Sequence, residues 1–365
     1  MKVAVISTVG VPSNYGGYET LVENLLTFKC NPAIEYTVYC SAKRYDEQLD
    51  TYKGAKLKYL KYDANGKEGL LYDMMSLADA IKDHDVVLSL GTACAPILPI
   101  VKMFNKAKII VNLDGIDTKR AKLSTLSRIL LSLNRRTAAK FADICISDNQ
   151  GIKDFVKETF KRDSALIEYG GDNAFPVEAS SELESKYGLT AKGYCFKVAR
   201  IEAENNIEMI LDAFSKLSNE KLVIVGNWNR SEFGRRMKQH YSAYPNILLL
   251  DPIYEPNNLN LIRSNCKLYI HGHSVGGTNP SLVEAMNLRL PILAYDVIYN
   301  RCTTEDKAIY FSDVPSLVNQ LEMISKNPAR LDKIADDMYE IARRRYTWEI
   351  ITSKYENLYE EVLKK

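Results

Sequence analysis

Residues 267–286 read KLYIHGHSVGGTNPSLVEAM, and the expected fold follows from this stretch. It predicts a buried strand, then a glycine-rich turn from Gly272 to Thr278, and then a helix that opens at Asn279 and Pro280. Such a join leaves helix amides unpaired beside a turn with little side-chain bulk, which favours a bound phosphate. Strand–glycine–helix joins also occur in every α/β protein, so a plain structural turn remains an alternative.

The composition is that of a globular protein of more than one domain. A chain of 365 residues exceeds one average hydrophobic core, so we expect two domains of similar size. The formal net charge of +2 gives no reason to expect nucleic acid as a partner. The seven cysteines are scattered singly, which predicts buried free thiols in a reducing compartment rather than disulfides or a zinc site.

Short apolar runs alternate with helical patterns along the whole chain. The runs expected to be strands in the first half are 2–7, 36–40, 56–61, 86–90, 109–113 and 144–147. This alternation predicts a doubly wound parallel sheet, in which ligands bind beyond the carboxyl ends of the strands. A polar loop at 169–173 interrupts the pattern before it resumes, and we place the domain boundary there, between residues 172 and 173.

Three segments carry a resemblance to a known family. They are the stretch HSVGGTNPSLVEAM, the first loop with Gly16, Gly17 and Glu19, and RIEAENN, which begins at Arg200. They resemble retaining GT-B glycosyltransferases of the family 4 type, and most closely the branch with bacterial rhamnosyltransferases of capsule and O-antigen synthesis. The resemblance implies an α/β fold of two Rossmann-like domains with a cleft between them. It assigns residues 1–172 to the acceptor, 173–345 to the nucleotide-sugar donor, and 346–365 to a helix that crosses back to the first domain.

The resemblance also implies a donor site in the second domain. Glu284 would accept hydrogen bonds from ribose-type hydroxyls, and Arg200 would neutralise the diphosphate leaving group. The full expected donor-binding set is Arg200, Glu204, Asn205, His273, Gly277, Thr278, Asn279, Pro280, Ser281, Leu282 and Glu284. The chain departs from the family pattern at two positions, because Gly276 replaces the first of two acids and Asn205 replaces a lysine. For His273, a hydrogen bond to the ligand and a structural role remain equal alternatives, and no metal is expected.

Candidate residues in the first domain are fewer. Asp114 directly follows the strand 109–113, at a position where most of the family has a histidine, so we predict that it is the acceptor base. Capping of the next helix is an alternative role for it. In the family, the loop with Gly16, Gly17 and Glu19 meets the donor phosphates or the acceptor, whereas the residues alone equally suit a βα turn capped by Glu19.

Residues 118–142 combine basic side chains with leucines at helical spacing and contain no acid. One interpretation is a helix whose leucines, including Leu130 and Leu133, cover the sheet while its basic face meets solvent. The other is that the basic side rests on anionic lipid. The expected basic patch is Lys119, Arg120, Lys122 and Arg128.

Together these features predict a metal-independent, retaining glycosyltransferase without a cofactor. The expected reaction moves L-rhamnose from dTDP-L-rhamnose to a lipid-linked oligosaccharide in cell-surface polysaccharide synthesis. Because we find no signal peptide and no apolar run long enough to cross a bilayer, we expect a cytoplasmic protein, peripheral at the inner face of the membrane. A nucleotide-sugar 2-epimerase and a non-catalytic nucleotide-sugar-binding protein remain alternatives.

Overall fold

The computed structural model of the chain describes residues 1–13, 16–113, 125–327 and 329–364. It divides into two compact units. Unit 1 comprises Met1–Tyr169 and Trp348–Lys365, and unit 2 comprises Gly170–Thr347.

Unit 1 contains a sheet whose described strands run in the order β3-β4-β2-β1-β5-β6-β7-β8. They are β1 Lys2–Ile6, β2 Glu35–Ser41, β3 Thr51–Tyr52, β4 Ala55–Leu60, β5 Val86–Ser89, β6 Lys108–Asn112, β7 Ile144–Ser147 and β8 Ala165–Leu166. β3 pairs with β4 in the antiparallel sense, and the other described pairings are parallel.

Unit 2 contains a parallel sheet in the order β11-β10-β9-β12-β13-β14. Its strands are β9 Cys195–Val198, β10 Leu222–Val225, β11 Ile247–Leu250, β12 Leu268–His271, β13 Ile292–Tyr295 and β14 Ile309–Phe311.

The described helices follow the strands in alternation. They are α1 Gly17–Thr27, α2 Gly69–Ala80, α3 Leu98–Phe104, α4 Thr125–Phe141, α5 Gln150–Phe160, α6 Ser181–Tyr187, α7 Ile207–Ser215, α8 Glu232–Tyr241, α9 Pro256–Ser264, α10 Pro280–Asn287, α11 Ile298–Thr304, α12 Val314–Lys326, α13 Ala329–Arg345 and α14 Trp348–Lys364. α1–α5 and α14 belong to unit 1, and the others belong to unit 2.

Three inner strands of the two sheets are buried along their whole length, as expected when helices cover both faces of a parallel sheet. All residues of β5, β10 and β12 are buried, and Val86, Leu222 and Ile270 are 0% exposed. Continuous runs of β-branched and leucine side chains form these strands because such runs have no polar face to present to water. The expected α/β fold with parallel sheets is confirmed.

Each sheet has one point at which the strand order reverses. In unit 1, β1 pairs with β2 on one side and with β5 on the other. In unit 2, β9 pairs with β10 on one side and with β12 on the other. At such switch points the loops after the two strands diverge, and the crevice they leave beyond the carboxyl ends is where open α/β sheets bind ligands.

Helix α4 does not cover the sheet in the way expected from its leucines. Leu130 and Leu133 are each 52% exposed, and Ile129 is 51% exposed. The buried side chains of the helix include Ala138 and Ala139 instead. The thiol of Cys145 in β7 lies 3.9 Å from the Ala138 carbonyl, so the carboxyl end of the helix lies against the sheet. The expected packing of Leu130 and Leu133 on the sheet is wrong, because both are exposed.

The last helix, α14, is an integral part of unit 1. Trp348 is fully buried and packs edge-on against Tyr169, with ring centroids 4.7 Å apart. The Glu356 carboxylate accepts hydrogen bonds from the backbone amides of Cys30 at 3.0 Å and Asn31 at 3.1 Å. These contacts join the end of the chain to the segment between α1 and β2.

Candidate functional site

Two loops meet at the switch point of unit 2, after β9 and after β12. The amide and the hydroxyl of Ser274 both donate to the backbone carbonyl of Glu204, at 3.0 and 2.8 Å. The side-chain amide of Asn206 donates to the carbonyl of Gly272 at 2.9 Å. The structure therefore brings together residues 200–206, which we call the arginine segment, and the glycine-rich turn. These are the two segments that the sequence singled out in this half of the chain.

The arginine segment presents one exposed cation and holds its own backbone with a buried amide. Arg200 is exposed just beyond β9. Asn205 is 1% exposed, and its Nδ2 donates to the backbone carbonyl of Arg200 at 2.6 Å. In this structure Asn205 therefore fixes the turn that carries Arg200, and its amide is directed at that turn.

The glycine-rich turn needs glycine at one position for space and at another for conformation. A Cβ on Gly272 would lie 2.4 Å from the Asn205 carbonyl oxygen, closer than any real contact. Gly276 has a φ of +122°, which side chains rarely tolerate, and a Cβ there would meet nothing within 4 Å. Gly276 thus leaves open space where the resemblance would have an acid.

The amino end of α10 is capped by its own residues. The Oδ1 of Asn279 accepts hydrogen bonds from the amide of Ser281 at 3.1 Å and from its hydroxyl at 2.8 Å. The amide of Leu282 donates to the Asn279 carbonyl at 3.0 Å, and Pro280 has no amide hydrogen. The amides of Ser281 and Leu282, which we expected to be unpaired, are therefore occupied, and that expectation is wrong. Gly277 and Thr278 lie in the turn just before this cap, and Thr278 is 4% exposed.

Glu284 is held between two side chains. Its Oε1 accepts a hydrogen bond from Asn173 Nδ2 at 2.9 Å, and its Oε2 forms an ion pair with Arg263. The Arg263 side chain is 4% exposed and also donates to Asn260 Oδ1 at 2.7 Å. Each carboxylate oxygen has more than one acceptor site, so an anchored Glu284, 17% exposed, still has capacity for ligand hydroxyls.

Two histidines and a lysine lie close together at this site: His271 ends β12, His273 is in the glycine-rich turn, and Lys197 is in β9. The rings of His271 and His273 stack with centroids 4.5 Å apart. Burial is the main cause that lowers the pKa of both imidazoles well below the ordinary value, so both are neutral near pH 7. Burial also lowers the pKa of the fully buried Lys197 to about 7.

Sequence reasoning missed Lys197, Arg263 and Asn173. A signal existed for Lys197, because a lysine inside the apolar strand CFKV is unusual. Arg263 and Asn173 carried no comparable signal, because their contacts with Glu284 join residues 21 and 111 positions apart in the chain.

In unit 1, the first loop is braced by Glu19. Its Oε1 accepts hydrogen bonds from Thr8 Oγ1 at 3.0 Å and from the Val9 amide at 2.8 Å. A Cβ on Gly16, whose φ is +136°, would lie 1.8 Å from Glu19 Oε2, whereas a Cβ on Gly17 would meet nothing within 4 Å. The described contacts of Glu19 are thus those of a residue that shapes the loop.

Several expected residues lie outside the described part of the chain. They are Asp114, Lys119, Arg120 and Lys122. Arg128, the remaining member of the expected basic patch, lies on α4 and is exposed.

Two features are absent from the described residues. Among them, no three His, Cys, Asp or Glu side chains are grouped as a metal ion would require. Within the same part of the chain, none of the helices combines the length and the apolar character needed to cross a bilayer.

Comparison with known families finds one matching family for each half of the chain. Residues 1–172 match a domain of unknown function, DUF1972. Residues 181–345 match the family described as glycosyl transferases group 1. Unit 2 is therefore similar to glycosyl transferases group 1 over these residues. The arginine segment, the glycine-rich turn and Glu284 all lie within the matched range.

Solved structures show the same fold over the whole chain. Sucrose-phosphate synthase from Thermosynechococcus elongatus has a TM-score of 0.82 at 15% identity, covering 100% of this chain and 99% of that one. Anabaena HepE in complex with UDP has a TM-score of 0.77 at 13% identity, with 99% and 100% covered. A glycosyltransferase from Rickettsia africae has a TM-score of 0.75 at 13% identity, with 100% and 98% covered. The chain therefore has the GT-B fold, and the group 1 domain together with this fold supports a glycosyltransferase.

Proposed function

We propose that the protein is a glycosyltransferase whose group 1 domain binds a sugar nucleotide at the switch point between β9 and β12. The observation that carries this proposal is the hydrogen-bonded union of the arginine segment with the glycine-rich turn at that point. Open α/β sheets bind ligands at such crevices. The similar HepE was solved with UDP and with UDP-glucose, which supports a nucleotide-sugar donor.

The donor we propose is dTDP-L-rhamnose, and the acceptor a lipid-linked oligosaccharide of cell-surface polysaccharide such as capsule or O-antigen. The support for rhamnose is the amino-acid sequence of the stretch HSVGGTNPSLVEAM, which resembles the corresponding stretch of the rhamnosyltransferase branch. Retention of configuration and independence from metal are part of the same proposal.

Two side chains of unit 2 take the main donor roles. Glu284, anchored by Arg263 and Asn173, accepts hydrogen bonds from the sugar of the nucleoside. Arg200 offsets the charge that develops on the departing diphosphate, an interaction that strengthens as the glycosidic bond breaks. The amides of Ser281 and Leu282 contribute only if the Asn279 cap opens, so we assign amide donation to the turn before them.

In unit 1 we propose that Asp114 accepts the proton of the attacking hydroxyl. A hydroxyl is a weak nucleophile until a base draws off its proton, and in the sequence Asp114 comes shortly after Asn112, the last residue of β6. The loop with Gly16, Gly17 and Glu19 follows β1, which β5 separates from β6 in the same sheet, and we propose that this loop borders the acceptor.

A lipid-linked acceptor requires the enzyme to work at a membrane. We propose that the surface formed by α3 and α4 rests on the inner face of the cell membrane. Ile100, Met103 and Phe104 on α3 are 60%, 74% and 80% exposed, beside the exposed leucines of α4. Basic side chains that suit anionic lipid lie on the same helix as those leucines, namely the exposed Arg128, Arg136 and Lys140.

Ligand-induced stabilisation tests the donor assignment directly. The protein is incubated with dTDP, UDP, dTDP-L-rhamnose and UDP-glucose, and the melting temperature is compared with that of the free protein, since a bound ligand stabilises the native state in proportion to its affinity. We expect dTDP and its rhamnose conjugate to give the largest shifts. If only the UDP compounds shift the melting temperature, dTDP-L-rhamnose is excluded as the donor. If none of the four compounds shifts it, a donor site is excluded.

Turnover separates the transferase from its rivals. We expect rhamnose transfer only when a glycosyl acceptor linked to a lipid is present. An epimerase would convert the nucleotide sugar without acceptor, and a binding protein would convert nothing.

A further inference from the structure

Three side chains at the switch point of unit 2 contain polar atoms without a hydrogen-bond partner among the described residues. These atoms are Nζ of Lys197, both ring nitrogens of His271, and Nδ1 of His273. Lys197 and His271 are 0% exposed. Buried polar groups are nearly always paired in proteins, because water no longer satisfies them. An unpaired cluster of this kind indicates a partner that is not part of the chain.

The cluster extends from the interior to the surface at the crevice of the sheet. A Cβ on Gly272 would lie 3.1 Å from Lys197 Nζ, so the amine lies directly beneath the glycine-rich turn. The ring of His271 stacks on that of His273, which is partly exposed. Arg200 completes the series at the surface and is close enough to His273 to lower the pKa of its imidazole.

Among the described residues, no carboxylate contributes to the pKa shifts of Lys197, His271 or His273. Burial alone lowers the pKa of Lys197. The pKa of His273 is lowered by burial and by His271, Lys197 and Arg200, all of which oppose a further positive charge. α7, which packs over the site, presents the apolar Ile210 to it. An anion is the partner that would satisfy the unpaired Lys197 amine and favour its charged form.

We infer that Lys197, His273 and Arg200 form one anion subsite for the diphosphate of the sugar nucleotide, in which Lys197 supplies the second positive charge that Asn205 does not. This inference rests on the proposed donor site. Because Nζ lies beneath the backbone of the turn, Lys197 acts on the diphosphate through its field, as a positioning residue, while His273 and Arg200 stand nearer the surface.

The inference predicts that binding takes up a proton. In the free protein Lys197, with its pKa lowered to about 7, is mostly neutral at pH 8. A nearby diphosphate favours the charged amine and raises this pKa, so the complex holds a proton that the free protein lacks. Affinity is then full below the pKa of the free protein and decreases as pH rises through the pKa of the complex.

Calorimetry with dTDP and UDP in buffers of different ionisation enthalpy measures this uptake. Between pH 7.5 and 9 the nucleotide contributes little, because a phosphate loses its last proton at a pKa of about 6. At pH 8 we expect uptake of most of one proton per bound nucleotide. Lys197→Met should abolish the uptake and weaken binding about tenfold, as expected for losing one charge interaction. The variant should fold, because methionine fills a buried site without the cost of an unpaired amine.

Lys238→Met is the matched control, since it makes the same substitution in the same unit at a lysine that pairs with Asp251 on the surface. It should leave both uptake and affinity unchanged. If wild type and Lys197→Met bind nucleotide with the same uptake, the inference is wrong while the donor site stands. If wild type binds neither nucleotide, the donor site and the inference are both wrong.

Discussion

Glu284 has both of its carboxylate oxygens engaged within the protein, by Asn173 and by Arg263. From the sequence, this residue was expected only to accept hydrogen bonds from the ligand. The structure adds a second consequence of its removal, because the Arg263 guanidinium is buried and would lose its counter-charge. A buried charge left without its partner is strongly destabilising.

We therefore expect Glu284→Ala to lower the free energy of unfolding of unit 2 by about 3 to 5 kcal/mol, besides weakening donor binding. Hydrogen exchange at increasing urea concentrations measures the free energy of unfolding of unit 2. Calorimetry with dTDP measures the affinity. Glu322→Ala, at an exposed position on α12, is the control and should change neither. A variant of unaltered stability would show that Arg263 does not depend on Glu284.

A second prediction concerns a single residue, Asp114, which lies outside the described residues. Asp114→Asn keeps the shape of the side chain and removes its basicity, so turnover should fall on the order of 10² to 10⁴-fold with donor affinity nearly unchanged. Steady-state transfer rates and dTDP calorimetry give the two quantities. Retained turnover would mean that the proton leaves by another route, with the leaving phosphate as its acceptor.

Among the elements, α3 and α4 both expose large apolar side chains to solvent. A helix face that only meets water is normally polar. Exposed apolar patches rimmed by basic residues are typical of membrane-binding surfaces. If the patch enters the lipid interface, binding has two components: one that salt screens and one that it does not.

We expect the protein to float with phosphatidylglycerol vesicles, and added salt to reduce this binding without abolishing it. Combined Ile129→Ser, Leu130→Ser and Leu133→Ser changes should remove the salt-resistant part. At roughly 1 kcal/mol for each half-exposed side chain, the loss in partitioning is on the order of 100-fold. Leu363→Ser, at an exposed leucine on α14, is the control. Absence of flotation at low salt would show that this surface does not bind lipid.

For the whole molecule, the assignment of α14 to unit 1 makes the end of the chain part of the first core. Trp348, Tyr355 and Tyr359 are at most 1% exposed. Their burial means that the hydrophobic core of unit 1 includes side chains of α14 as well as those of the sheet that contains β1.

Trp348→Ala should accordingly cost about 3 to 5 kcal/mol of stability through the cavity it leaves. Because the chain has two units, we expect the loss to appear as reduced hydrogen-exchange protection in β1, β5 and α1 and not in unit 2. Tyr254→Ala, at a side chain that is 70% exposed, should leave protection intact in both units. Equal loss of protection in the two units would show that they unfold as one.

The sequence by itself determined the parallel-sheet fold and the position of the two turns at the switch point of unit 2. Strands and turns of this kind depend on local features, such as the apolar run that became β5 and the glycine at Gly276 with its positive φ. The start of the helix at Asn279 and Pro280 was also predicted correctly, since helix starts depend on neighbours in the chain.

Only the tertiary structure decided which polar groups are paired. It gave Glu284 two partners from distant parts of the chain, occupied the amides of Ser281 and Leu282, and left Lys197 without a partner among the described residues. It also exposed Leu130, which a helical pattern alone predicts to be buried. Burial and pairing depend on what the fold brings close from elsewhere in the chain, whereas periodicity and capping depend on neighbours within a few residues.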